Sequence, residues 1–106
     1  MNDTDAYWES AYNQVRNICE VKGITLILST IPTVPTRNKE YINKIVRESG
    51  LKYIDFANAV GATSTGVWYD GCLSQDGVHP TVLGAKLLSA KALTDCSEIM
   101  QYGVTV

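Results

Sequence analysis

The sequence predicts an α/β fold with parallel strands, and three observations lead there. Segments with helical and strand-like patterning alternate in the order helix–strand–helix–strand–helix. The helical segment between the two strand candidates supplies the long crossover that parallel strands need. The chain has 106 residues, 45% apolar and 19% charged, which suits one small globular domain and is too short for two.

Over residues 4–21, Trp8, Ala11, Tyr12, Val15, Ile18 and Cys19 recur at steps of three and four, one face of an amphipathic helix. Thr4 or a neighbouring aspartate can cap its start, and Lys22-Gly23 is a fitting end. The next segment, "ITLILST" (residues 24–30), is short, rich in β-branched residues and apolar on both alternating faces. Strands buried between two helix layers have that pattern. Pro32 and Pro35 punctuate a loop. A second helix is expected over residues 37–49, with Tyr41, Ile42, Ile45 and Val46 inward and Gly50 as its stop.

"KYIDF" (residues 52–56) reads as the second strand. Residues 57–75 then form a long irregular stretch, a length that usually signals function in a compact domain. A third helix follows Pro80, over about residues 81–96, apolar around so much of its circumference that it should be largely buried. The tail "QYGVTV" reads as a short extended segment. Two parallel strands alone leave unpaired edges, so the pattern is that of a partial fold. Either further strands lie outside this chain, or a second copy supplies them by dimerisation or exchange of elements.

Bulk properties exclude several classes. Net charge is −2, and no Lys/Arg cluster stands ready to neutralise phosphates, so nucleic acid is not an expected partner. The longest apolar run is far shorter than the roughly 20 residues that span a bilayer. The first residues carry no basic region followed by an apolar stretch, so no signal peptide is expected. Cys19, Cys72 and Cys96 lack C-x-x-C spacing, and with a single histidine they do not make a zinc set. A Cys72–Cys96 bridge is compatible with the sequence, as are free thiols. No cofactor is expected.

The only histidine, His79, stands three residues after Asp76 and one before Pro80. The segment "DGVHPTVLGAKLLSAKAL" resembles the C-terminal block of the SGNH hydrolases, the GDSL-type esterases and lipases. "VWYDGCLSQ" and "GITLILSTIPTVP" are also similar to segments of that family, so the resemblance runs from Asn2 to about Leu93. It implies a three-layer α/β/α fold with a flavodoxin-like parallel sheet. Residues 1–106 would be the C-terminal portion of a single such domain. It further implies that Asp76 and His79 are the acid and base of a catalytic triad. Met1-Asn2-Asp3 matches the end of the family's Gly-x-Asn-Asp block, which makes Asn2 a candidate oxyanion donor.

The Gly-Asp-Ser nucleophile block and the glycine block have no counterpart here. The expectation is therefore a truncated or alternatively started enzyme whose serine lies upstream of Met1, inactive alone. Its substrate would be a small-molecule ester, cleaved through an acyl-serine intermediate. Carbohydrate deacetylation, lysophospholipid cleavage and simple ester hydrolysis all stay open.

The chemistry fits the residue types. A serine hydroxyl needs a base to accept its proton, and neutral imidazole can do so near neutral pH. A carboxylate on the ring's other nitrogen fixes the tautomer and stabilises the imidazolium. Gly77 lets a tight turn close, and Pro80 fixes the backbone at the start of the following helix. Plainer roles stand beside these: Asp76 as a cap, Asn2-Asp3 as helix-capping residues, and Trp68 and Tyr69 as loop packing instead of an acyl pocket. Ser29, Ser64 and Ser74 lie in neither a Gly-x-Ser-x-Gly nor a Gly-Asp-Ser setting, so turn or capping roles suit them better. A module that self-associates or binds a partner through an exposed sheet edge, without catalysis, is the alternative to the enzyme.

Overall fold

The computed structural model describes residues 2–98. The expected tail segment, residues 101–106, lies outside them. Helix α1 (Asp3–Lys22) opens on Asn2, whose side chain accepts the Asp5 amide, and closes on Gly23, which takes the left-handed conformation that releases its N–H to Cys19 and Glu20. Strand β1 (Leu28–Ser29) follows, then α2 (Glu40–Glu48), β2 (Tyr53–Ile54), the single turn α3 (Phe56–Ala59) and α4 (Val82–Asp95). The strands pair in parallel, Leu28 with Tyr53 and Ser29 with Ile54. Helix α2 packs on β1 and α1, while α4 packs on β2 and α3.

This architecture corrects the fold predicted from the sequence. Among the described residues the domain is mostly helical around one two-stranded parallel sheet, and it is not a three-layer α/β/α flavodoxin-like fold. The pattern that suggested long strands contains only two paired residues in each. A ladder extends only while both chains offer each other hydrogen-bond partners, and hydrophobic alternation without a further neighbour does not sustain it. The molecule is 20 Å through its thin axis, room for about two helix diameters and not for a sheet covered on both faces.

Two other expectations change. Helix α4 is not largely buried: Gly84 is its one fully buried residue, and Val82, Leu83 and Leu93 are exposed. On α2 the inward face is Ile42, Asn43 and Val46, whereas Tyr41 points outward and donates its hydroxyl to Glu9 on α1. Asn43, a polar residue on a helix, is fully buried among them. Its Oδ1 accepts the Ile31 N–H at 2.8 Å and its Nδ2 donates to the Ile31 carbonyl at 2.7 Å. Thr30 donates its backbone N–H to β2, so Ile31 faces the opposite edge, and the amide of Asn43 stands where a third strand would.

The core is small: Val34, Ile42, Val46, Ile54, Ala57, Val60, Cys72 and Cys96. All three cysteines are free thiols, so the Cys72–Cys96 bridge that the sequence allowed is not formed. No helix among the described residues is long and apolar enough to cross a membrane.

Candidate functional site

Asp76 and His79 meet on one short turn. His79 Nδ1 lies 2.6 Å from Asp76 Oδ2. The other carboxylate oxygen, Oδ1, accepts the N–H groups of Val78 at 2.8 Å and His79 at 2.9 Å, and the Ser74 hydroxyl at 2.6 Å. Aspartate suits this role because its short side chain can bond backbone groups two and three residues ahead. Gly77, at φ +72°, supplies the left-handed residue that brings His79 back over Asp76. The backbone closes beneath them, Ser74 N–H to the His79 carbonyl at 2.9 Å and Gly77 N–H to the Ser74 carbonyl at 3.0 Å.

The turn is anchored at its base. Thr81 caps α4 by accepting the Gly84 N–H, donates its hydroxyl to the Gly71 carbonyl, and bonds the Cys72 carbonyl through its own N–H at 2.8 Å. Pro80 therefore sits just before the cap, and α4 begins two residues later, at Val82. Gly84 faces the Cys72 carbonyl so closely that a Cβ would collide with it. That contact seats the first turn of α4 on the loop carrying the pair.

The Ser74 hydroxyl is the largest of several hydrogen bonds that hold the Asp76 carboxyl well below the usual carboxylate range, with the His79 and Val78 groups adding to it. An anionic Asp76 places the neutral imidazole's proton on Nδ1, which leaves Nε2 as the acceptor. Nε2 has no hydrogen-bond partner among the described residues, and the His79 side chain is 77% exposed. The arrangement is an oriented imidazole with its outer nitrogen open to solvent. The Ser74 hydroxyl is committed to Asp76 and not to His79, so it is not poised as a nucleophile.

Because the folded carboxyl is depressed, it should stay ionised as pH falls through about 3.9, where an ordinary aspartate takes its proton. Any stability the anion contributes is present above that pH and is lost only as pH drops through the lower folded value. Following the Asp76 carboxyl carbon by NMR from pH 7 to acid should show this delayed titration. Ser74→Ala should move the titration upward, toward the ordinary aspartate range. An unchanged titration in that variant would contradict the assigned cause.

Asn2 is placed apart from the pair. It is the N-cap of α1, and its Oδ1 is used by the Asp5 N–H at 2.8 Å, so its Nδ2 donor has no bond among the described residues. The cavities it lines are walled by residues of the 36–41 segment and not by Asp76 or His79. The structure thus joins two of the three sequence-predicted site residues and leaves the third elsewhere.

The carboxyl ends of the strands, where open α/β folds place ligands, are knitted to themselves. Thr30 Oγ1 donates to Asp55 Oδ1 at 2.8 Å and accepts the Ala57 N–H, while Arg47 pairs with Asp55 at 3.0 Å. Burial pushes the Asp55 carboxyl up, but Arg47 and Thr30 outweigh it and bring it below its ordinary value. Trp68 donates its indole N–H to the Thr33 carbonyl at 2.8 Å, a packing role. Among the described residues no three His, Cys, Asp or Glu side chains cluster as a metal site.

Comparison with known proteins gives no match: no family model fits the chain, and no curated protein or solved structure is significantly similar to it.

Proposed function

We propose that this chain carries the acid–base pair of a serine ester hydrolase of the SGNH type and works on a serine hydroxyl supplied from outside these 106 residues. The observation that supports the reading is the 2.6 Å bond between Asp76 and His79 Nδ1, with Nε2 left open to solvent. In that reading Nε2 takes the serine proton as the hydroxyl attacks the ester carbonyl, Asp76 stabilises the imidazolium, and the proton then passes to the leaving alcohol. Asn2 is the proposed oxyanion donor through Nδ2. It reaches that role only if the serine-bearing segment brings the two regions together.

A short-chain p-nitrophenyl ester assay tests the proposal. The 106-residue chain should be inactive, and a chain extended upstream through a Gly-Asp-Ser block should be active and should lose activity with His79→Ala. Activity of the short chain that vanishes with Ser29→Ala or Ser74→Ala would overturn the external serine. An inactive extended chain would overturn the hydrolase.

A second reading, a non-catalytic module that self-associates, is favoured by a separate observation. The outward backbone groups of Ser29 on β1 and of Ile27 just before it have no backbone partner among the described residues, and Val15, Ile18 and Val21 lie exposed along α1. Light scattering at micromolar concentration should then give a dimer mass. A monomer would remove this reading.

A further inference from the structure

The unpaired edge of β1 has a definite extent. Leu28 and Thr30 turn their backbone N–H groups to β2, bonding the Lys52 and Ile54 carbonyls at 3.0 Å each, so Ile27 and Ser29 turn theirs the other way. Ile31, two residues further on, belongs to that same edge, but the side-chain amide of Asn43 already holds both its N–H and its carbonyl. The open edge is therefore short and closed at its carboxyl end. Ile27 and Ser29 are only partly buried, which leaves their backbone within reach of a partner.

That geometry selects what can pair there. A strand laid antiparallel to a copy of itself, with Leu28 opposite Leu28, sets Ile27 opposite Ser29 of the second copy and Ser29 opposite its Ile27. Each of these pairs exchanges both backbone hydrogen bonds, so every free group of Ile27 and Ser29 is used. The next pair at each end sets Ile31 against Thr25 of the other copy, and there Asn43 already occupies Ile31. The ladder thus ends on both sides where the free groups end. A long strand of an unrelated partner would instead run past Ser29 into the Asn43 amide.

The surroundings are apolar. Val15, Ile18 and Val21 on α1 are 46%, 52% and 78% exposed, and Ile24 is 55% exposed. Residues 23–27 join α1 to β1, so this stripe ends close to the edge. A net charge of −2 gives two copies little mutual repulsion. One strand edge and one helix stripe make an interface of the smaller class, below about 1,200 Å² in total, so a weak dimer is expected.

We propose that two copies of this chain join β1 to β1 across a two-fold axis at Leu28, making one sheet in the order β2–β1–β1–β2. This pairing rests on the self-association reading and adds to it the surface, the register and the residue that bounds them. It makes no use of Asp76 or His79.

Light scattering and hydrogen exchange on the 106-residue chain test the pairing together. A dimer mass should appear at micromolar concentration, and the Ile27 and Ser29 amides should exchange at least about tenfold more slowly in the dimer than in a sample diluted to monomer. Leu28→Cys should form a symmetric disulfide under mild oxidation, because the two Cα atoms would face each other about 4.5 Å apart. Ile27→Pro, which removes an outward N–H and no bond of the β1–β2 ladder, should weaken the dimer by at least about tenfold. A monomer at every concentration would overturn this pairing and the self-association reading with it. A dimer whose two amides exchange freely, whose Leu28→Cys variant does not cross-link, or whose folded Ile27→Pro variant keeps full strength would overturn the pairing alone. Protection of both amides in a monomeric chain would give the edge to another segment and overturn it as well. Should Ile27→Pro fail to fold, exchange in the parent chain and the Leu28→Cys cross-link decide.

Discussion

Replacing Asn43 with alanine should lower the stability of the domain by about 3 kcal/mol, since both backbone groups of Ile31 lose their partner in the interior. Each buried polar group left without a bond costs about 1–3 kcal/mol, and the small cavity adds to it. For a small protein in urea, where the slope is about 1–3 kcal/mol per molar, the midpoint should fall by at least about 1 M. Leucine, which fills more of the space, should not recover the loss, because shape is not what the site lacks. A midpoint within a few tenths molar of the parent chain would show that water serves Ile31 as well as the amide does.

On the proposed hydrolase reading, Asp76→Asn is the second substitution with a large effect, measured on a chain extended upstream through the proposed Gly-Asp-Ser block. The amide oxygen can still accept from Ser74, Val78 and His79, so the turn should keep its shape. The amide nitrogen, however, would face His79 Nδ1 with a donor, forcing the ring proton onto Nε2, where the base must accept. The rate constant should fall about 10⁴-fold with little change in KM, the behaviour of triads whose aspartate is made an amide. A fall of less than tenfold would place the acid outside the chemistry. Loss of the folded spectrum would instead show that Asp76 chiefly holds the turn.

How much of this was legible beforehand depends on where each residue finds its partners. Helix α1, with its Gly23 end, and the Asp76–His79 turn are local: spacing, caps and turn residues determine them, and the sequence displays all three. Sheet size is different. The run over residues 24–30 has the composition of a long buried strand, yet pairing stops after Leu28 and Ser29, because pairing depends on a neighbour that composition does not reveal. Asn43 is hidden for the same reason: an amide on a helix reads as surface until Ile31 is found beside it. The buried position of Asp5 also depends on a distant segment, the residues leading into α2. The role of Ser74 left a faint trace, a hydroxyl two residues before an acid, too common to interpret without the turn.

The bonds that orient the imidazole all arise between residues 74 and 79, while the seating of that turn rests on Cys72, Thr81 and Gly84. Internal alignment and outward aim are therefore governed by different residues. Insertions elsewhere in the polypeptide would carry the pair along as an intact cartridge, and changes at the seat would re-aim it without blunting it. A bulkier residue at Gly84 would be the simplest way to separate the two: the aspartate should still titrate late in acid, while the direction in which the ring presents its free nitrogen shifts.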